Sequence, residues 1–146
     1  MSTLRERREA AGITQTRLAE LSGVKRANIS AYELGTRPMS AEMERRLLSC
    51  LVRPSERLRL HRSEVRRIIA SHGGENPRVF GSVARNQDVP SSDIDLLIDA
   101  TRIQGLDFIA LEQELTNVLG VRIDLISERA VRLPKHAHIL AEAVPL

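Results

Sequence analysis

The chain has 146 residues, 42% of them apolar and 28% charged, a globular composition with room for one ordinary domain or two very small ones. A single cysteine, Cys50, excludes an internal disulfide scaffold, and no apolar run approaches the ~18 residues that a membrane span needs. Net charge is only +3, yet residues 1–70 carry 15 Lys and Arg against 8 Asp and Glu, whereas residues 71–146 carry 7 against 11. A basic part able to face phosphates thus precedes an acidic part able to hold cations.

The first fifty residues predict four short helices. Leu4 to Ala11 is helix-prone and Gly12 ends it. Thr14 caps a second helix that turns Leu18 and Leu21 inward, and Ser22-Gly23 breaks it. A third, Lys25 to Leu34, buries Ile29 and Tyr32, leaves Lys25, Arg26 and Asn28 outward, and closes at Gly35. Ser40 caps a fourth whose apolar face is Met43, Leu47, Leu48 and Leu51. The Met1 to Arg8 segment lacks an apolar signal core, so a cytoplasmic location and no membrane contact are expected.

Pro54-Ser55 marks the expected end of a first domain over residues 1–53. Glu56 to Ser71 reads as one helix, with Leu58, Val65, Ile68 and Ile69 on one side and Arg57, Arg59, Arg62, Arg66 and Arg67 on a basic face. It is expected to connect the domains over residues 54–74, with Gly73-Gly74 and Asn76-Pro77 ending it and a last domain over 75–146. From there the period alternates. In Asp93 to Asp99, Ile94, Leu96 and Ile98 share one face, and Asp93, Asp95, Leu97 and Asp99 the other. Val121 to Ile126 repeats the pattern, with Arg122 and Asp124 opposite the apolar face. Leu106 to Leu119 between them is an amphipathic helix closed by Gly120, and Ala130 to Val144 reads as a final helix around Pro134.

Two short helices joined by a glycine-containing turn, the second with outward cationic and amide groups, satisfy the geometry of a helix-turn-helix. Gly12-Ile-Thr-Gln-Thr-Arg-Leu-Ala-Glu-Leu-Ser-Gly-Val-Lys-Arg-Ala-Asn-Ile-Ser-Ala-Tyr-Glu-Leu-Gly resembles the phage-repressor (XRE, Cro/C1-type) family over about residues 2–53. That resemblance implies operator DNA bound by a dimer, with Gln15 at a phosphate or base edge, Lys25, Arg26 and Asn28 in the groove, and Thr36 and Arg37 on backbone phosphate. Ala27 and Ala31 stand where relatives often carry polar readers.

The strongest pattern is Phe80-Gly81-Ser82, ten residues, then Asp93-Ile-Asp95. Aspartates at i and i+2 on a strand point the same way about 6–7 Å apart, a spacing at which both can meet an oxygen-loving cation. Asp124 on the next strand adds a third carboxylate, and a divalent metal would resolve their repulsion. Gly81 and Ser82 lead into a helical turn that Ser82 can cap, whose free N–H groups suit a triphosphate. The Gly-Ser, ten-residue, Asp-x-Asp arrangement resembles the DNA polymerase β-type nucleotidyltransferase superfamily. Ala84-Arg85 and Ser92-Asp93-Ile-Asp-Leu-Leu further resemble its minimal nucleotidyltransferase (MNT) branch over about residues 60–146. Asn86 replaces the usual glycine, a residue that still tolerates left-handed backbone.

The combined resemblance implies an α+β chain, an all-α helix-turn-helix domain followed by a small mixed-sheet transferase domain. It implies Asp93, Asp95 and Asp124 as catalytic and metal residues for two Mg²⁺ ions. It further implies Gly81, Ser82, Arg85 and Ser92 around ATP. Only 22 residues follow Asp124, so an acceptor that brings its own surface is expected. The MNT resemblance implies an antitoxin that transfers AMP to a tyrosine of a HEPN-type ribonuclease toxin, as homodimer or hetero-oligomer with that toxin, and represses its own operon. The alternatives are a DNA-binding regulator with a silent transferase domain, and a transferase acting on a small molecule or tRNA.

Overall fold

The computed structural model describes residues 2–146, which divide into two compact units: residues up to Arg53 with Val89–Ser91, and Pro54–Asp88 with Ser92–Leu146.

In the first unit α1 (Leu4–Ala10), α2 (Gln15–Ser22), α3 (Arg26–Leu34) and α4 (Ala41–Ser49) fall where the periodicity places helices, with Lys25 as the cap of α3 rather than its first residue. Thr14 and Ser40 accept hydrogen bonds from Arg17 N and Met43 N, so the orphan donors of α2 and α4 are satisfied locally. Thr3 and Glu6 cap α1 reciprocally. Leu4, Ile13, Leu18, Val24, Ile29, Leu47 and Leu51 form the aliphatic core.

An ion pair is built into that core. Arg8 Nε donates to Glu33 Oε1 at 2.7 Å and Nη2 to Oε2 at 3.2 Å, with side chains only 10% and 3% exposed. Arg8 Nη1 donates to Ile13 O and Gln15 Nε2 to Glu33 Oε2, so the pair ties α1, α2 and α3 together. Burial pushes the Glu33 carboxyl up, but the hydrogen bonds from Arg8 and Gln15 outweigh it and hold the group below its usual value. The stabilisation is therefore present at neutral pH and is lost as pH falls through the lowered folded value. Arg8→Ala strands a buried carboxylate and is expected to destabilise this unit by about 3–5 kcal/mol, whereas Arg8→Met with Glu33→Leu recovers much of the loss. Circular-dichroism melting checks this; an unchanged midpoint for Arg8→Ala would contradict it.

The second unit runs α5 (Pro54–Leu60), α6 (Arg62–Ser71), β1 (Glu75–Phe80), α7 (Gly81–Ala84), β2 (Ile94–Asp99), α8 (Leu106–Leu119), β3 (Ile123–Ser127), α9 (Ala137–Glu142) and β4 (Val144–Pro145). Its sheet has the order β3-β2-β1-β4, with β2 and β3 parallel and β1 antiparallel to both neighbours. The parallel pair needs a crossover, and α8 supplies it. On one face Val79, Ile94, Leu96, Ile98, Ile123 and Leu125 pack against Leu58, Val65, Ile68 and Ile69 of α5 and α6 and against Leu111, Leu115 and Leu119 of α8. The other face is thinner: Phe80 and Leu97 meet Val131 and Ile139.

Three local readings change. The single helix over Glu56–Ser71 is two helices, broken at His61 (φ −109°, ψ 15°), and both contribute residues to the second unit's core. Burial of Leu58 and Val65 under the same sheet outweighs continuity of the helix. Asn76-Pro77 does not stop a helix but lies inside β1, where Asn76 (φ 50°) sits at a register shift that absorbs the missing proline N–H. The tail is not one helix: it has 3-10 turns at Glu128–Val131 and Pro134–His136, then α9 and β4. Pro134 interrupts the helical ladder, and Pro145 suits an edge strand, where its missing donor costs no ladder bond. No helix among the described residues is long and apolar enough to cross a membrane.

Candidate active site

β1 ends at Phe80, whose Cα partner on β2 is Asp95, and Asp95 is in register with Asp124 on β3. One row across three strands therefore carries Gly81's immediate neighbour and two carboxylates. The alternation that buries Ile94 and Leu96 under α8 turns Asp95 to the thin face, and Asp93, two residues earlier, has the same parity. Asp95 is half-buried and its carboxyl is pushed up to about 6. Burial is the main cause, followed by the charges of Asp124 and Asp93, a hydrogen bond with Asp124 and the charge of Glu142.

Arg122 lies over this cluster, with Nε 4.0 Å from Asp93 Oδ2 and Nη2 3.7 Å from Asp124 Oδ1. No three acidic or imidazole groups among the described residues close on a common point as a filled metal site does. The donor chemistry nevertheless fits Mg²⁺: the set is all hard oxygen, its charges are under-compensated, and a cationic side chain already spans two of its members. Asp93, Asp95 and Asp124 are the residues that could hold the ion.

Gly81 is required twice over. Its φ is 70°, and a Cβ built on it would overlap Asp95 Oδ2, so the backbone of the Gly-Ser turn lies directly against the carboxylate. α7 begins there, with Phe80 as N-cap and no side-chain capping bond; Ser82 is not the cap but sits within the turn, its carbonyl accepting from Gln87 N at 2.8 Å. Asn86 takes the left-handed conformation (φ 55°) that a residue in this place needs. Ser92 lies in the approach to Asp93, just outside β2. Arg85 caps α7 and is half-exposed; its Nη1 donates to Glu142 Oε1 and its Nε to Gln87 Oε1 at 3.2 Å. Asp99, at the far end of β2, is a turn residue that accepts from Thr101 N at 3.0 Å.

The structure thus gathers Asp93, Asp95, Asp124, Gly81 and Arg85, and adds Arg122 and Glu142, to which the sequence alone assigns no role. Arg122 was legible, since it stands two residues before Asp124, directly ahead of β3. Glu142 had no local signal, because its place depends on the broken tail that returns α9 to the thin face.

In the first unit Lys25 and Arg26 are exposed at the start of α3. Asn28 Oδ1 accepts from Arg37 Nη1 at 2.8 Å, and the Arg37 guanidinium stands 5.9 Å from the Tyr32 ring, so these two are pre-positioned rather than loose. Thr36 is exposed, and Gln15 has its amide nitrogen committed to Glu33.

Residues 58–146 match the family described as "Nucleotidyltransferase domain". The chain belongs to that family. This nucleotidyltransferase also matches, over residues 4–49, the family described as "Helix-turn-helix", and so carries such a domain ahead of its transferase part. It is 34% identical over 88 residues to "Protein adenylyltransferase MntA" of Thermococcus cleftensis, a match covering 60% of this chain and 86% of that protein. It is 36% identical over 78 residues to "Putative protein adenylyltransferase MJ0435" of Methanocaldococcus jannaschii, covering 53% and 84%. A solved structure described as "Structure of putative minimal nucleotidyltransferase" aligns with a TM-score of 0.57 and 41% identity, over 63% of this nucleotidyltransferase and 95% of its own chain.

Proposed function

We propose that this nucleotidyltransferase moves AMP from ATP to a tyrosine hydroxyl of a partner toxin of the HEPN ribonuclease class, and represses its own operon through the helix-turn-helix. The observation that supports the reading is the row Phe80, Asp95 and Asp124 across three strands, with the Gly81 backbone, next in the chain, lying directly against the Asp95 carboxylate. The relatives named protein adenylyltransferase support a protein acceptor.

In the reaction the acceptor oxygen bonds to the α-phosphorus, the bond to the bridging oxygen breaks, and pyrophosphate leaves with the electron pair. Asp124 accepts the hydroxyl proton. The backbone N–H groups of Gly81 and Ser82, with Arg85 beside them, hold the β- and γ-phosphates, and Ser92 orients the approach to Asp93. Two Mg²⁺ ions held by Asp93, Asp95 and Asp124 would supply charge compensation and acidify the attacking hydroxyl. Arg122 yields Asp93 and Asp124 to that site.

The basic first unit serves operator DNA as a dimer, with Lys25, Arg26 and Asn28 in the groove, Thr36 and Arg37 toward phosphate, and Gln15 at a phosphate or base edge. Each lost phosphate contact reduces the slope of log affinity against log salt by about 1. The decisive experiment incubates the full chain with its co-expressed toxin, Mg²⁺ and ATP labelled at the α-phosphate. Label on a toxin tyrosine, absent with Asp93→Ala, is expected; an unlabelled toxin would remove the reading.

A further inference from the structure

We propose that Glu142 is a positioning residue that holds the Arg85 guanidinium ready for the triphosphate. The inference rests on the reading of Gly81, Ser82 and Arg85 as the phosphate seat.

Both partners hang from one strand. β1 leads straight into α7, whose C-cap is Arg85. β4 pairs back on β1 through Val144 opposite Val79 and Pro145 opposite Arg78, and Glu142 stands two residues before Val144 at the end of α9. Ile139 fixes that helix from below, packed with Phe80, Leu97 and Val131. The Glu142 side chain is 21% exposed, against 50% for Arg85.

An acidic side chain placed there faces Asp95 as well, and its charge adds to the repulsion that Asp95 already feels. A fourth carboxylate beside the three aspartates is a cost unless it does something for the site. Its use follows from the Arg85 contacts: Glu142 takes Nη1 and Gln87 takes Nε, and among the described residues no bond falls on Nη2, the edge of the planar fork that a ligand oxygen would meet. A flexible side chain is thereby fixed before the anion arrives, and its ordering no longer has to be supplied by binding.

The test is equilibrium titration of the full chain with MgATP, pyrophosphate and AMP. Glu142→Ala is expected to weaken MgATP and pyrophosphate about three- to tenfold while leaving AMP unchanged, since AMP lacks the β- and γ-phosphates. Glu142→Gln, which keeps an acceptor for Nη1, recovers most of the loss. In an Arg85→Ala background Glu142→Ala adds nothing. A purely structural role would instead lower affinity for all three ligands and persist without Arg85. Parent-like MgATP binding by a folded Glu142→Ala, or an equal effect in the Arg85→Ala background, overturns the proposal. If Arg85→Ala itself leaves pyrophosphate binding unchanged, the proposal falls because the phosphate seat was misread, and not because of Glu142.

Discussion

Asp95→Asn is expected to lower nucleotidyl transfer by about 10³-fold while making the metal-free protein more stable. The loss follows from the proposed role of Asp95 as a central cation ligand, an interaction whose contribution to the transition state amounts to several kcal/mol. The gain follows from Asp95 itself, whose carboxyl is pushed up to about 6 by burial and then by Asp124 and Asp93. A carboxyl with a raised folded value binds its proton more tightly in the folded chain than in the unfolded one. The metal-free protein therefore loses stability as pH rises from about 4 to about 6, and above that carries the full penalty. Because the group is only half-buried, solvent screening reduces the penalty to about 1 kcal/mol. Asparagine cannot ionise, and its amide can still donate to Asp124. The variant should melt a few degrees higher than the parent at pH 7.5 and with it at pH 4. Added Mg²⁺ reverses the order, raising the melting temperature of the parent at pH 7.5 but not that of the variant. A variant with parent-like transfer, or one that melts lower in the absence of metal, would remove the carboxylate cluster as the catalytic centre.

Gly81→Ala carries the second large effect, and it couples stability to chemistry. The left-handed backbone (φ 70°) costs a side chain about 1–2 kcal/mol, and the new methyl overlaps Asp95 Oδ2. Either the carboxylate swings away or α7 shifts, and displacement of a reacting geometry by about 1 Å costs about 10²-fold. We expect transfer to fall by at least that factor and the midpoint of chemical denaturation to drop. Gly12→Ala is the matching control, because Gly12 has nearly the same φ (74°) and nothing within 4 Å of its added Cβ. It should share the strain and keep the activity. Equal transfer by parent and Gly81→Ala would show that contact between the turn and Asp95 is unimportant.

Much of the molecule was legible in one dimension because it depends on short-range periodicity. The four helices of the first unit follow from caps at Thr14 and Ser40 and from apolar residues at helical spacing, and their bounds moved by only a residue or so. Alternation in residues 93–99 placed Leu97 with the aspartates and Ile94, Leu96 and Ile98 opposite, as the two core clusters now divide them. The Gly-Ser, ten-residue, Asp-x-Asp arrangement resembles that of nucleotidyltransferases, and the family match agrees with that resemblance.

What spacing could not convey was anything whose cause lies across the sheet. Helices α5 and α6 look continuous until Leu58 and Val65 must reach the same strands, and the tail looks helical until Pro134 breaks it and β1 offers an edge to Val144 and Pro145. The meeting of Gly81 with Asp95 and of Glu142 with Arg85 is of the same kind. Chain-local patterns determined which residues could form helices, strands and an acidic row, because caps and periodicity act over a few residues. Only the tertiary structure decided which of those residues touch, because strand register and burial energy depend on partners far away in the chain.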